Sequence, residues 1–398
     1  MFCSKTIQSI CFRARFLVPL ALFWIFPLPA QETILESYER IFIRSSLDTK
    51  VNVLSDAATD EAAPEFYGPL CNLALDFVIN NADLFREDPD MLGITLSAVK
   101  GVGKYGYNPA AETLWQVFLR FPDRAIRYEI LRTLPVLDAP KLLERINQFL
   151  EEQNSRYTSG LGLDPQLLTA LFELLGSVGN DSSYPVLFVS KLIYSGDLET
   201  QARRALYNIT GDFYGFCSNV ILNNPPEEKM EAFRLAMGRE TVSAEEQGTV
   251  AEAALEAALS VTGTARERFR EISALALHYI RESGRVSALP LVIKYYNQTQ
   301  AAFRSDASRR RELADAIACL SALRDTEAAR TLGLQLGLYN ARFDSLKPEE
   351  KEIVMALILA LGGLGYKASY DTLYHASTLA YPNDIREAAR NALTRLEW

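Results

Sequence analysis

Residues Leu359 to Trp398 read LALGGLGYKASYDTLYHASTLAYPNDIREAARNALTRLEW. The fold prediction is based on the pattern in this stretch. Apolar residues recur at three- and four-residue spacing in it and in the segment just before it, which predicts amphipathic α-helices. The sequence Leu-Gly-Gly-Leu-Gly at 361–365 and the pair Pro382-Asn383 interrupt that periodicity. Glycine and proline at such points predict turns between helices. We therefore expect short helices joined by tight turns.

An earlier stretch, Leu171 to Ile209, repeats this pattern as LFELLGSVGNDSSYPVLFVSKLIYSGDLETQARRALYNI. Both copies contain Leu-Gly-x-x-Gly, then a leucine eight residues after the last glycine, then an Ala-rich segment that opens with basic residues. Weaker copies begin near residues 96, 270 and 311. Gly284 precedes Arg324 by 40 residues, and Arg324 precedes Gly365 by 41. A period near 40 made of helix pairs predicts an all-α chain folded as an α-solenoid.

The Leu-Gly-x-x-Gly turns and the helix start at Asp384-Ile385-Arg386 resemble the HEAT-repeat family, particularly its Ala-rich bacterial forms. The resemblance covers most of residues 70–398 and implies a superhelix of HEAT-like repeats over residues 69–398. It also implies that basic residues at helix starts bond to neighbouring repeats rather than to a ligand; these are Arg127, Arg270 and Arg386. We expect the glycines at 176, 179, 362 and 365 to permit left-handed conformations at helix ends.

The first thirty residues predict a secretory signal peptide. Lys5, Arg13 and Arg15 precede an uncharged run, FLVPLALFWIFPLPA, which ends at Ala30 and is followed by the polar Gln31. A basic region, an apolar core and a small residue before the cleavage point are typical of export signals. We expect cleavage between Ala30 and Gln31 and a periplasmic or extracellular chain. The apolar run is shorter than the roughly 20 residues that a spanning helix needs, and a retained membrane anchor is the alternative.

Residues 31–68 fit the repeat poorly and are rich in aspartate and glutamate. A polar, atypical unit is what the end of a repeat array requires, so this segment is predicted to be an N-terminal helical cap. Removing residues 1–30 would remove three basic residues and change the formal net charge from −9 to −12. Three cysteines would remain, Cys71, Cys217 and Cys319. An odd, widely spaced set favours buried free thiols over a disulfide framework.

Few residues suited to catalysis or metal binding occur. The chain has two histidines, His278 and His375, and contains no His-Glu-x-x-His, Cys-x-x-Cys or Gly-x-Ser-x-Gly motif. The string at Gly101–Gly106 matches Gly-x-Gly-x-x-Gly but lacks the preceding strand that a dinucleotide site needs, so we expect a turn between helices there. No cofactor, metal or catalytic residue is predicted. The acidic charge also argues against a nucleic-acid partner.

Two clusters are candidates for binding a partner protein. Tyr366, Tyr370 and Tyr374 are four residues apart, which would place them along one helix face, and Tyr381 follows. Tyrosine is enriched at protein interfaces, although packing in the core is the other interpretation. Arg309, Arg310 and Arg311 follow a polar loop and suit an acidic partner or a solvated helix start.

The prediction is therefore an exported, non-enzymatic scaffold that binds another protein and does not insert into a membrane after cleavage. Repeat arrays present long surfaces suited to extended partners. One alternative is a HEAT-like lyase or hydrolase that acts on a protein-bound group through carboxylate and tyrosine side chains. The other is a structural protein of the envelope that keeps its N-terminal anchor.

Overall fold

The computed structural model describes residues 33–85, 87–261 and 264–397. The predicted signal segment, with Ala30 and Gln31, lies outside these ranges. Twenty α-helices account for most of the described chain, whose only β contact is an isolated bridge between Tyr366 and Glu397. The all-α prediction is confirmed. The helices are α1 Ile34–Arg44, α2 Leu47–Thr59, α3 Ala63–Phe85, α4 Pro89–Tyr105, α5 Ala111–Arg120, α6 Arg124–Thr133, α7 Leu143–Thr158, α8 Pro165–Val178, α9 Tyr184–Ile193, α10 Asp197–Asn208, α11 Phe213–Asn223, α12 Pro226–Met237, α13 Ala244–Ser260, α14 Thr264–Ser283, α15 Leu289–Ser305, α16 Arg310–Ala322, α17 Thr326–Asn340, α18 Pro348–Leu364, α19 Tyr370–Thr378 and α20 Asn383–Leu393.

The chain divides into two compact units between Phe121 and Pro122. The described part of the first unit holds α1 to α5, and that of the second holds α6 to α20. Residues 68 and 69, between which the sequence analysis separates a cap from the repeats, both lie within α3.

Proline and aspartate fix several helix starts in the way that the breaker pattern predicts. Pro165 occupies the first position of α8, where its missing N–H costs no hydrogen bond. The Asp164 side chain accepts hydrogen bonds from the backbone N–H groups of Gln166 and Leu167. Asp88 and Pro89 form the same arrangement at the start of α4. These starts follow from local sequence, because each satisfies N–H groups that the helix leaves unpaired.

Two buried lysines cap the C-termini of helices α1 and α11. The Lys50 Nζ donates to the carbonyl oxygens of Phe42 and, at 2.7 Å, of Ser45 at the end of α1. The Lys229 Nζ donates to the carbonyl oxygens of Ile221 and Leu222 at the end of α11, at 2.7 and 2.6 Å. A cation at a helix C-terminus satisfies free carbonyls and complements the helix dipole. Burial lowers the pKa of both lysines.

Helices of the second unit pack against the helix two positions further along the chain. In the C-terminal part, α14 contacts α16, α16 contacts α18 and α18 contacts α20. The intervening helices α13, α15, α17 and α19 contact one another in the same order. Earlier in the unit, α6, α8 and α10 form one such series, and α7 contacts α9. From α11 to α20, each helix pair therefore packs against the pair that follows it.

Polar bonds between successive pairs have a sequence separation close to the predicted period. Arg270 of α14 pairs with Glu312 of α16, and Arg309 donates to Glu267 at 2.7 Å, both over 42 residues. The Ser321 hydroxyl donates to the Ala360 carbonyl at 3.1 Å over 39 residues. The expectation that Arg270 bonds to a neighbouring pair is thus confirmed.

Of the other two arginines, Arg127 interacts electrostatically with Asp164, and Arg386 differs from Arg270. Burial lowers the pKa of the half-buried Arg127, and the negative charge of Asp164 at the start of α8 opposes that shift. Arg386 donates to Asn383 within the first turn of its own helix, and its Nε is buried without a partner. The implied bond to a neighbouring repeat is therefore not seen at Arg386.

Three of the four glycines of the repeat motif permit close packing and are not left-handed. Gly365 alone among the four adopts a left-handed conformation, with φ of 73°. Gly176 and Gly362 lie inside α8 and α18. A Cβ added at Gly362 would lie 2.7 Å from the Ala392 Cβ, and one at Gly176 would lie 3.2 Å from the Ala205 Cα. The expectation of left-handed glycines is therefore wrong at 176, 179 and 362, where the lack of a side chain permits close approach.

The Gly101–Gly106 string is also partly helical, which corrects the expected turn. Helix α4 continues through Gly101 and Gly103 to Tyr105, and only Gly106 is left-handed, with φ of 60°. A Cβ at Gly101 would lie 2.4 Å from the Cys71 Sγ in α3. The first glycine of this string permits contact between α3 and α4, and no strand precedes it within the described ranges.

Two buried asparagines, one shortly before each clear copy of the repeat, form equivalent bridges between helices. The Asn154 Nδ2 at the end of α7 donates to the Val186 carbonyl in α9 at 3.2 Å, and its Oδ1 accepts from Ser190. The Asn340 Nδ2 at the end of α17 donates to the Thr372 carbonyl in α19 at 2.9 Å. In both cases the donor and the acceptor are 32 residues apart. The bridge is therefore a repeated feature of the helix pairs.

Cys71, Cys217 and Cys319 are buried free thiols, as predicted. Burial raises the pKa of Cys71 and of Cys319 to about 12, and it also raises that of Cys217. Thiols that remain protonated are poor nucleophiles and poor metal ligands. These residues therefore contribute packing.

Candidate interaction surfaces

The tyrosines predicted to share one helix face are split by a turn. Tyr366 precedes the 3-10 turn at residues 367–369, and its hydroxyl donates to the Arg324 carbonyl at 2.6 Å. Tyr370 and Tyr374 do lie on α19, with nearly parallel rings whose centroids are 6.0 Å apart. Tyr374 is 49% exposed. This pair therefore forms a surface aromatic feature without Tyr366.

Tyr381 lies in the core. It is 3% exposed, and its hydroxyl donates to the Asn340 Oδ1 at 3.1 Å. Burial raises its pKa to about 12. The phenol therefore completes the polar bridge of α17 and α19 and presents little surface.

The three consecutive arginines have different partners. Arg309 bonds to Glu267 at 2.7 Å and to Glu312 at 3.3 Å, while Arg310 bonds to Glu352 at 2.7 Å. Arg311 is exposed, and its charge acts on Asp315 one turn later in α16. Arg309 and Arg310 thus connect α16 to the preceding and following pairs.

A groove of about 820 Å³ lies between α7 and α9 and is open to solvent. We call it the α7–α9 groove. The Asn147 Nδ2 donates to Ser182 at 3.2 Å, but its Oδ1 is buried without a partner. Val189, at 44% exposure, presents an apolar side chain. The wall is therefore mixed; it comprises Pro140, Leu143, Glu144, Asn147, Gln148, Glu151, Asn154, Ser155, Thr158, Asn180, Ser182, Pro185, Val186 and Val189.

A second groove, of about 680 Å³, involves α9, α10 and α12 and carries mostly charged side chains. We call it the α10–α12 groove. Lys191, only 9% exposed, pairs with Glu231 and lies 3.6 Å from Glu199. Its lining comprises Lys191, Glu199, Thr200, Arg203, Arg204, Tyr207, Asn208, Glu231, Arg234, Leu235, Gly238, Arg239, Glu240 and Thr241.

Aromatic rings hold Arg239 at one end of the α10–α12 groove. Its guanidinium carbon lies 5.3 Å from the ring centroid of Phe213 and 5.9 Å from that of Tyr207. The Nη2 also donates to the Tyr207 carbonyl at 3.0 Å, and the Tyr207 hydroxyl donates to the Leu235 carbonyl at 2.8 Å. Cation–π contacts and hydrogen bonds together fix this arginine in place.

Neither groove is among the sequence predictions. The repeat pattern marks Arg203 and Arg204 only as the basic opening of a helix, and Arg239 lies in a region where the repeat is weak. A charge signal exists, because three arginines occur within 204–239 of an acidic chain. The three arginines lie on two helices and a loop, so no run of consecutive charges marks them in the sequence.

The described residues offer little for catalysis. They contain no group of three or more histidine, cysteine, aspartate or glutamate side chains placed to hold a metal ion. Burial raises the pKa of Asp315, which Arg311 and Arg281 oppose. Its neighbour Glu312 is bound by Arg270 and Arg309. The two carboxylates of α16 are therefore in unlike environments, and one is occupied by ion pairs.

No helix within 33–85, 87–261 or 264–397 is both long and apolar enough to cross a membrane. The two histidines lie apart on α14 and α19, and the His278 Nδ1 is 3.3 Å from an Arg281 nitrogen.

Comparison with known proteins does not add a relative. No family model matches the chain, and no curated protein sequence is similar to it. The likeness to HEAT repeats therefore remains a resemblance based on the sequence pattern and its spacing.

Proposed function

We propose that the protein is an exported, non-enzymatic scaffold of HEAT-like repeats stacked as an α-solenoid, and that it binds another protein. Packing of helices on the helix two positions along, within α6–α10 and within α11–α20, supports the stacking. Bonds that join residues about 40 positions apart support the period. In such arrays every repeat contacts its neighbours and the array exposes long grooves.

The observation that carries the proposal is the α7–α9 groove. Its volume of about 820 Å³, its exposed Val189 and its amide and carboxylate side chains combine apolar area with hydrogen-bonding groups. Protein interfaces use the same combination of an apolar centre and polar surroundings.

A site-specific photo-cross-linker tests this binding in the native host. We expect p-benzoylphenylalanine at Val189 to form one discrete protein adduct, which excess unlabelled purified chain suppresses. Leu275 of α14, 40% exposed, is a matched control position. Absence of a competed adduct at Val189, or the same adduct at Leu275, would contradict a partner in this groove.

Export has a separate test, because residues 1–30 are independent of the groove. Mass spectrometry of the chain purified from its host should give an N-terminus at Gln31. An intact Met1 would reject cleavage and favour the envelope protein with a retained anchor.

The lyase or hydrolase alternative has weaker support. It requires a carboxylate pair that can exchange protons with a substrate, whereas Glu312 is committed to Arg270 and Arg309. A raised pKa at Asp315 is one property of a general acid, but a second carboxylate or tyrosine in a shared cavity would also be needed.

A further inference from the structure

The α10–α12 groove is locally positive in an acidic chain. Five basic side chains line it against three carboxylates, whereas the whole sequence has a formal net charge of −9. The basic set is Lys191, Arg203, Arg204, Arg234 and Arg239, and the acidic set is Glu199, Glu231 and Glu240. The groove therefore has a formal excess of two positive charges.

Two of the three carboxylates of the groove lie against Lys191. Glu231 pairs with the buried Lys191, and Glu199 lies 3.6 Å from the same ammonium group. Arg234, 60% exposed in its side chain, approaches Glu231 only to 3.8 Å. Lys191 balances the charge of one of these two carboxylates, and the groove keeps its formal positive excess on the four arginines.

Arg203 and Arg204 are exposed on α10 and make no hydrogen bond or ion pair within the described part of the chain. Arg239, at the other end of the groove, is fixed by Tyr207 and Phe213. One end therefore presents free guanidinium groups, and the other presents a guanidinium whose position is set before any ligand arrives. Guanidinium groups bind carboxylates through paired hydrogen bonds.

We propose that this groove binds an acidic segment, rich in aspartate and glutamate, of the partner protein. This inference rests on the proposed scaffold function and names the chemistry of its partner. A volume of about 680 Å³ accommodates a few residues of extended chain, with their carboxylates facing Arg203, Arg204 and Arg234. Recognition of acidic motifs by arginine clusters is an established mode of peptide binding.

The test uses the full purified chain and a fluorescein-labelled peptide of six alternating aspartate and glutamate residues. Fluorescence anisotropy gives its affinity, and the corresponding asparagine and glutamine peptide is the neutral control. We expect the acidic peptide to bind, and Arg203→Ala with Arg204→Ala to weaken binding about tenfold because two charge-assisted contacts are lost. The neutral peptide should bind at least about tenfold more weakly than the acidic one.

The matched control is Arg330→Ala with Arg395→Ala, which removes the same charge from exposed residues outside the groove. It should change the affinity less than about twofold, since distant surface charges are screened by salt. Equal weakening by both double variants would show non-specific attraction and overturn the proposal. Complete displacement of the peptide by an equal concentration of inorganic phosphate would also overturn it, because the groove would then be a small-anion site.

The outcome can be separated from that of the scaffold proposal. A competed Val189 adduct together with no binding of the acidic peptide would reject this inference and leave the scaffold function standing. Absence of the Val189 adduct would reject a partner in the α7–α9 groove, whereas the peptide experiment separately tests the α10–α12 groove. Circular dichroism of both double variants should match that of the parent chain, because the four arginines are exposed.

Discussion

The segments 154–209 and 340–397 contain the same α-helices in the same order. They differ in the backbone conformation of the last glycine of the motif. In both, an asparagine in the last turns of one helix bridges to a carbonyl 32 residues on. In both, a glycine inside a helix permits close approach of a second helix, Gly176 near Ala205 and Gly362 near Ala392. The last glycine of the motif differs, because Gly179 is extended, with φ of −66°, and Gly365 is left-handed.

Comparing the two segments separates the features of the repeat that depend on helix packing from those that depend on local turns. Residues 194–196 join α9 to α10, whereas residues 379–382 join α19 to α20, so the later connection is longer by a single residue. Because α19 is also one residue shorter than α9, α10 and α20 both begin 21 residues after the glycine of the close contact. The alanine that the glycine contacts lies one position further along α20 than along α10. Close helix contacts and buried bridges persist through that change, while the turn conformation does not.

The largest expected effect is at the glycine of the tighter contact. Gly362→Ala should lower the free energy of unfolding by about 2–3 kcal/mol, because its Cβ would overlap backbone-attached atoms of Ala392. Gly176→Ala should change it by less than about 1 kcal/mol, since the better helix propensity of alanine offsets a milder contact. Urea denaturation of both variants measures the difference; equal losses would contradict the comparison.

The next largest difference in unfolding free energy is expected between the two asparagine bridges. Asn340→Ala should cost about 2 kcal/mol, because it leaves the buried Tyr381 hydroxyl without its partner. Asn154→Ala should cost about 1 kcal/mol, since the Ser190 hydroxyl keeps its bond to the Val186 carbonyl at 2.9 Å. Hydrogen exchange of amides in α9 and α19 compares the two sites locally. A greater loss of protection in α9 would reverse the predicted order.

Variants at Gly365 and Gly179, the last glycines of the two motifs, test two possible reasons for a glycine. One reason is a left-handed backbone conformation, and the other is a lack of space for a side chain. Gly365→Ala should cost about 1–2 kcal/mol, the penalty of a left-handed alanine, and Gly365→Asn should recover part of it. Asparagine should give no such recovery relative to alanine at Gly179, where a Cβ would meet the Leu175 carbonyl oxygen and Ile209. Thermal midpoints of the four variants test this. Recovery by asparagine at both positions would mean that both glycines serve conformation.

The smallest effect concerns two buried tyrosines. Tyr381→Phe should cost about 0.5–1 kcal/mol, because it removes a hydrogen bond to Asn340. Tyr194→Phe should be neutral or slightly stabilising, since the Tyr194 hydroxyl is buried without a partner. Differential scanning calorimetry can resolve the opposite signs. A loss at Tyr194 matching that at Tyr381 would indicate an unrecognised partner of its hydroxyl.

Helix periodicity and breakers are sufficient to predict the all-α class and several helix starts. Asp164-Pro165 and Lys347-Pro348 begin α8 and α18 because proline and the capping groups act locally. The roles of Gly176 and Gly362 could not be predicted in this way. A glycine that permits a turn and one that permits close packing look alike in sequence, and only the neighbouring helix distinguishes them.

The candidate surfaces show the same limit. A spacing of four aligns Tyr366 with Tyr370, but the turn at residues 367–369 ends that alignment. Asn154 stands within the polar run Glu151–Arg156, and Asn340 lies at the end of a helix, so neither residue attracts notice alone. Comparing the sequence with itself at the shift that aligns the two Leu-Gly-x-x-Gly motifs would have paired these asparagines.

The short sequence span of the bonds between helix pairs has a consequence for how the chain folds. Arg270–Glu312, Ser321–Ala360 and Asn340–Thr372 join residues only 32–42 positions apart in a chain of 398. Low contact order of this kind favours rapid folding, because little loop entropy is lost before a native contact forms. Adjacent helix pairs can then acquire structure during synthesis without waiting for distant parts of the chain.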